Sequence, residues 1–432
     1  MSDWRNWGGN QHAAGIEVVP AASEAEVIAA VTTAAAQGRR IRPIGSGHSF
    51  TGIGTPVDRQ LDLSGWAGLL DVRADSGLVT VAGGTTLRRL NHDLQRAGLS
   101  LTNLGDIDAQ TVAGALATGT HGTGARFGGL ATQVRAFDLV TADGRLRHCS
   151  ATRHGEVFAL GRIGLGALGV ITSVTLQAEP LFALDAREGP MRLDEVLDRL
   201  DELAEANDHF EFYWFPHTDR TLTKQNNRRP LAALRPLRRW RAYWDDEVMA
   251  NGAFAAIIGA GRRVPRAIRP LNAVAARALA PRRFTDVSHR VFVSPRRVRF
   301  VEMEYALPRA ALAPALRELG ELIERNGFDI AFPVEVRLAA ADDIALSTAY
   351  RRESCYVAIH MPRAVDPRAY FAAFEQLAGR YDGRPHWGKV HSLGAERLGE
   401  LYPRFAEFTA LRDRLDPDGL FGNDYLRRVL GR

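Results

Sequence analysis

The stretch Arg42 to Phe50, RPIGSGHSF, sets a histidine behind two glycines and in front of a serine. An imidazole so placed can hold a metal, move a proton or form a bond. Metal binding is disfavoured, because no other His, Cys or carboxylate stands at ligand spacing near His48. A second cluster ends in Thr118-Gly119-Thr120-His121-Gly122-Thr123-Gly124. Backbone N–H groups freed of side-chain crowding, beside threonine hydroxyls, form a concave donor surface suited to a pyrophosphate. No P-loop lysine follows it, so nucleotide hydrolysis is not indicated. Glycine–threonine loops also make plain turns, and the pattern alone leaves both readings open.

Three further candidates lie downstream. In FPVEVR, Glu335 and Arg337 stand two apart on an expected strand and therefore share a face. Such a pair can grip a polyhydroxylated ring through charge-assisted hydrogen bonds, or form a structural cross-strand ion pair. His360, in YVAIHM, is either a core histidine or a pocket residue. Lys389 closes His386-Trp387-Gly388-Lys389, and the only other lysine is Lys224 in a chain whose bases are otherwise arginine. A lysine kept under that bias suits a site needing a compact ammonium with a shiftable pKa, although Lys224 shows that the bias is no rule.

The elements that must position these residues read as α+β. A strand is followed by a helix capped at Ser23, with Glu26 in capping-box position, then a strand into the glycine turn at Gly45–Gly47. A helix is expected near 86–97, a hairpin turning at Asp143-Gly144, and a strand near 169–177. The GLGALG run at 164–169 fits the dinucleotide fingerprint by letters, but a helix precedes it and a strand follows, the inverse of a Rossmann unit. From about 181 the texture changes to longer helices, such as 193–208, alternating with strands FEFYWF, VEMEYAL and CYVAIHM. At 432 residues two domains are expected, divided into 1–180, 181–400 and a C-terminal segment 401–432 that returns to the first.

Composition narrows the class. Two cysteines, Cys149 and Cys355, exclude a disulfide scaffold or four-thiolate zinc site and point to a reducing compartment. There is no basic-then-apolar leader and no run near the roughly 20 apolar residues that span a bilayer, so a cytoplasmic protein is expected. Net charge is +5 with pI about 9.4, but acids and bases are interleaved. The exception is the Arg/Trp-rich stretch 227–244, which keeps open a nucleic-acid or membrane-surface binding role.

Taken together, RPIGSGHSF and the glycine–threonine loop resemble the FAD-binding domain of the vanillyl-alcohol oxidase type of flavoprotein, also called PCMH-like. NWGGN (6–10), FPVEVR, RPHWGKVH (384–391) and LDPDGLFGNDYL (415–426) resemble its sugar-lactone branch, the aldonolactone oxidoreductases, which include gulonolactone and arabinonolactone oxidases or dehydrogenases. The resemblance implies a two-domain α+β flavoprotein, an FAD-binding domain followed by an α+β substrate (cap) domain, with FAD tethered covalently to the His48 imidazole. It implies cofactor contacts at Gly45, Ser46, Gly47, Ser49, Gly105, Asp106, Gly114, Thr118, Gly119, His121, Gly122, Gly124, Gly169, Val170 and Ile171, and no metal. It places Glu335 and Arg337 in the substrate pocket and Lys389 near the reacting oxygen or the flavin edge that gathers charge.

The implied reaction is oxidation of an aldono-1,4-lactone (L-gulono-, L-galactono- or D-arabinono-) at its C2 hydroxyl. Hydride passes to flavin N5, and Glu335, Lys389 or His360 takes the proton. The product is of ascorbate type. Gly105 leaves room for dioxygen beside the flavin, so oxygen and quinone, cytochrome or dye acceptors both stay open. Asp106 departs from the alditol-oxidase version of its loop, which favours lactones over xylitol or sorbitol, the alternative substrates.

Overall fold

In strands such as VEMEYAL and VEVR the apolar and polar letters alternate, and the physical consequence is one large sheet with two unlike faces. The computed structural model describes residues 1–238, 240, 252, 254–294 and 298–431. Eight strands pair antiparallel in the spatial order Arg282–Val287, Ala183–Arg192, Arg220–Arg229, His209–Trp214, Val334–Ala339, Ser354–Pro362, Phe300–Pro308 and Arg384–Pro385. Side chains of successive residues point to opposite faces. One face therefore carries Phe210, Phe212, Val336, Val357, Ile359 and Met303, buried against the helices Leu312–Arg325 and Arg368–Arg380. The first of these helices presents Leu312, Leu316, Leu319 and Ile323 at helical spacing to that core. The opposite face carries Glu211, Tyr213, Glu302, Glu304, Glu335, Arg337, Tyr356 and His360, all buried.

What buries that polar face is the first half of the chain. It contains a four-stranded sheet in the order Ser2–Arg5, His12–Pro20, Arg59–Asp62, Ile41–Ile44, with the last two pairings parallel. A five-stranded antiparallel sheet follows, in the order Leu69–Arg73, Leu78–Ala82, Val170–Gln177, Val134–Val140, Leu146–Ser150. The helix Glu24–Ala36 is capped as expected: Ser23 Oγ accepts from Glu26 N–H, and the Glu26 carboxylate accepts from Ala22 N–H. The hairpin turns at Asp143-Gly144, where Gly144 takes φ +73°.

The chain passes from one sheet system to the other between Pro180 and Ala183. The helices Ala395–Leu401, Phe405–Leu415 and Asp424–Leu430 pack back on the first half, and Asn423 donates to the carbonyls of Gly52 and Thr55. The helix expected over 193–208 is two helices, Leu193–Asp198 and Leu200–Ala206, broken at Arg199, whose backbone leaves the helical region. Of the Arg/Trp-rich stretch, residues 239 and 241–244 lie outside the described residues. Within it Arg228 is spent internally, 2.8 Å from Glu179 and stacked over the Phe182 ring at 4.3 Å.

Candidate functional site

The RPIGSGHSF loop leaves the strand Ile41–Ile44 and is held from two sides. Trp7 N–H donates to Gly47 O at 2.7 Å, and Asn6 Nδ2 donates to Ser49 O at 2.9 Å. From the later half, Gly388 O accepts from Phe50 N–H at 2.7 Å. The fully buried Trp387 anchors that segment, donating to Leu346 O while its own carbonyl accepts from Thr51 and Tyr425. The two motifs thus meet because main-chain hydrogen bonds stitch them together.

Two cavities meet at this junction and share His48, Ser49, Gln110 and Thr118. The larger, about 460 Å³, lies in the first half. Gly45, Ser46, Gly47, Gly114, Gly169 and Ile171 line it, as does the rest of the 164–169 run except Ala167. Two of its glycines are required. A β-carbon at Gly45 would fall 2.2 Å from Thr111 Oγ1, and Gly169 sits at φ +148° with Val140 O only 2.4 Å from where its β-carbon would be. A long cleft floored by bare backbone suits a dinucleotide whose pyrophosphate needs close approach of N–H groups.

The helix Gly155–Gly161 precedes the 164–169 run and the strand Val170–Gln177 follows it, so this is not a Rossmann turn. His48 stacks on Trp7, with ring centroids 5.5 Å apart and planes 20° from parallel. Burial, and then the nearby Lys389 charge, push its pKa down to about 4. The imidazole is neutral at physiological pH, the state in which its nitrogen is a nucleophile.

The smaller cavity, about 290 Å³, opens from His48 toward the polar face of the eight-stranded sheet. Gly105, Asp106, His121, Arg337 and Lys389 line it, together with Glu302, Glu304 and His386. Strand register sets the array: Glu302 faces His360, Glu304 and Glu335 flank Ala358, and Glu211 faces Arg337. Lys389 Nζ lies 2.5 Å from Glu302 Oε2, whose other oxygen is 3.5 Å from His360 Nε2. Arg337 contacts three acids: Glu335 at 2.5 Å, Glu211 at 2.9 Å and Asp106 at 3.4 Å. Arg88 pairs with Asp108 at 2.8 Å, and His121 with Glu304 at 2.9 Å.

Charge states follow. Burial works against the Lys389 ammonium, but Glu302 foremost, then Glu304 and Glu335, outweigh it and raise its pKa. Burial likewise opposes ionisation of Glu302, yet Lys389 and His360 bring it down to about 2. Among the described residues each cation lining this cavity already touches an acid, so these residues suit a neutral, hydroxyl-rich ring better than an anion, which would meet Glu302 and Glu304.

His121, Glu304 and His386 bring possible metal-ligating atoms within 4.8 Å of one another. Hydrogen bonds already occupy them: His121 Nδ1 meets Gly122 O, its Nε2 meets Glu304, and His386 Nδ1 accepts from Gly388 N–H.

Other expected residues fall elsewhere. Glu335 and His360 line neither cavity and stand one layer behind Arg337 and Glu302. Gly119, Gly122, Gly124 and Val170 also line neither. The end of the glycine–threonine loop docks on the sheet instead, with Gly124 N–H donating to Leu338 O and Leu338 N–H to Thr123 Oγ1. Gly105 packs closely: a β-carbon there would lie 2.9 Å from His121 O. Sequence reasoning missed Trp7, Asp108, Glu211, Glu302 and Glu304. The signal for the last two was present, as Glu302 and Glu304 stand two apart on VEMEYAL just as Glu335 and Arg337 do on VEVR.

Comparison with known proteins matches two parts of the chain. Residues 174–429 match the family described as D-arabinono-1,4-lactone oxidase, and residues 17–150 match an FAD-binding domain. The L-gulono-1,4-lactone dehydrogenase of Mycobacterium tuberculosis is 43% identical over 99% of both chains. The L-gulonolactone oxidase of Mus musculus is 34% identical, covering 94% of this chain and 93% of that one. The alditol oxidase of a Streptomyces species is 31% identical over 98% of each. Among solved structures, the cholesterol oxidase of B. sterolicum superposes with a TM-score of 0.82 at 17% identity, covering 99% of this chain and 96% of that one, which shows a shared fold.

Proposed function

The chain belongs to the D-arabinono-1,4-lactone oxidase family, and from that premise we propose that it is an FAD-dependent oxidoreductase that oxidises an aldono-1,4-lactone at the C2 hydroxyl. The observation that carries this reading is the meeting of two cavities at His48. One is a glycine-floored dinucleotide cleft, and the other is a polar chamber in which, among the described residues, Arg88, Arg337 and Lys389 are each paired with an acid. FAD, when bound, supplies the hydride acceptor.

The chain's own residues do the rest. His48, neutral and stacked on Trp7, is the covalent tether for the cofactor. Gly45, Ser46, Gly47, Gly114, Thr118 and Gly169 hold it in the larger cavity. Ionised Glu304, which also lines the smaller cavity, accepts hydrogen bonds from the lactone hydroxyls and helps orient the ring. Lys389 presents an ammonium to the smaller cavity, where it stabilises negative charge that develops during hydride transfer. Arg337, bound to three acids, fixes the floor of the chamber. The product is a 2-keto lactone whose enediol is of ascorbate type.

The test is a denaturing gel viewed under ultraviolet light, followed by anaerobic titration. Wild-type protein carries yellow fluorescence through denaturation and His48→Ala does not. L-Gulono-, L-galactono- or D-arabinono-1,4-lactone bleaches the flavin faster than xylitol or sorbitol. Peroxide release in air against reduction of an added dye or cytochrome then assigns the acceptor. Protein that binds no flavin, or is bleached by alditols alone, removes the reading.

A further inference from the structure

Lys389 is held from several directions. Main-chain bonds tie its segment to the strand Phe300–Pro308: His386 N–H donates to Glu304 O at 3.0 Å and Val390 N–H donates to Glu302 O at 2.8 Å. Its ammonium lies 5.6 Å from the centre of the Phe50 ring, contributed by the first half. The charged and titratable groups that face it are Glu302 and Glu304 from that strand, Glu335 from the strand Val334–Ala339 of the same sheet, His386 from its own segment and His48 from the first half. Glu335 is in contact with Arg337, and Glu304 with His121. Glu302 is the carboxylate in contact with Lys389, at 2.5 Å, and its second oxygen faces His360.

We propose that Glu302 is a positioning residue of this site: braced by its cross-strand partner His360, it fixes the Lys389 ammonium in the wall of the smaller cavity, so that the lysine acts as a fixed positive charge and not as a proton acceptor. The consequence for the reaction rests on the role given to Lys389 above. A buried amine without a counter-charge shifts toward its neutral form, whereas one in contact with a carboxylate stays charged. Removing the Glu302 charge leaves the burial of Lys389 unchanged and takes away the contact that offsets it. The direction in which Lys389 is displaced from an ordinary lysine agrees with this arrangement. Among the three acceptors that the sequence left open for the substrate proton, Lys389 is thereby excluded.

The chain's two lysines make the test direct. In holoenzyme labelled with carbon-13 at the lysine ε-carbon, two resonances are expected, and Lys224→Arg assigns them. In Glu302→Gln the Lys389 midpoint falls by about 1–3 pH units, Glu302→Asp recovers most of that change, and His360→Gln shows a smaller fall in the same direction. Anaerobic flavin reduction by L-gulono-1,4-lactone in Glu302→Gln gains a falling alkaline limb with the midpoint seen for Lys389. A Lys389 midpoint that stays in place in Glu302→Gln, in protein whose Lys224 resonance is unchanged, overturns the proposal. A midpoint that moves as stated, in a protein that no lactone reduces, leaves the Glu302–Lys389 clamp standing and removes the lactone reading instead.

Discussion

Arg337→Leu tests whether the polar face of the sheet depends on a single cation. The guanidinium contacts Glu335 at 2.5 Å, Glu211 at 2.9 Å and Asp106 at 3.4 Å, and the next cation, Lys224, reaches Glu211 at 3.3 Å. At an effective dielectric near 20, one unit-charge pair about 4 Å apart is worth about 4 kcal/mol. Measured losses on breaking a buried pair by removing one partner are about 3–5 kcal/mol, because the orphaned charge stays buried. The loss expected at pH 7 is therefore about 3–5 kcal/mol.

Its pH dependence has a definite sign. In the wild type, burial alone would raise the Glu211 pKa, but Arg337 and Lys224 more than offset it and leave it depressed. A depressed carboxylate contributes stability above its unfolded value of 4.5, and that contribution is lost as pH falls through the lower folded value. In Arg337→Leu the larger of the two charges that offset burial is gone and only Lys224 remains, so Glu211 titrates higher than in the wild type. Its charge contributes less stability at neutral pH, and the difference shrinks as it is protonated. The deficit is largest at pH 7 to 8 and narrows toward pH 5, as read from urea unfolding of both proteins across that range. A deficit under about 1 kcal/mol, or one that ignores pH, refutes the argument.

Three other substitutions probe separate links. Gly169→Ala places a methyl 2.4 Å from Val140 O at φ +148°, and the backbone conformation alone costs about 1–3 kcal/mol. The melting temperature falls and flavin content falls with it, whereas unchanged melting would show that the strand entry relaxes freely. Trp7→Ala removes the ring stacked on His48, so covalent attachment slows while non-covalent flavin is still bound, read as the fluorescent fraction on a denaturing gel over time. Lys389→Met keeps the flavin absorbance and lowers the anaerobic reduction rate about 10²–10³-fold. Stopped-flow traces matching wild type would remove Lys389 from the chemistry.

How far the sequence could be read depends on which physical rule each feature obeys. Local rules were legible: the Ser23 cap, the Asp143-Gly144 turn and the inverted order around 164–169 each follow from neighbouring residues. The alternation of VEVR gave the face that Glu335 and Arg337 share, but it carries no information on depth. Glu335 and His360 therefore sit one layer behind the cavity wall, while Arg337 and Glu302 form it. The resemblance implies cofactor contacts along the glycine–threonine loop, yet of Thr118, Gly119, His121, Gly122 and Gly124 only Thr118 and His121 line either of the two cavities. Thr123 and Gly124 pair with the strand Val334–Ala339, a contact across more than 200 residues that no local pattern encodes.

The acids missed on VEMEYAL show why register matters more than letters at this site. A buried strand bearing Glu302 and Glu304 is untenable alone, since each ionised carboxylate in a low-dielectric interior must meet a cation or a donor. The compensating groups come from elsewhere: Lys389 from the segment after Pro385, His121 from the first half and His360 from the adjacent strand. The polar face is thus neutralised only when both halves of the chain are in place. The smaller cavity and the docking of the two sheet systems are one electrostatic problem, so a substitution that unbalances the cavity's charges is expected to loosen the junction at His48 as well.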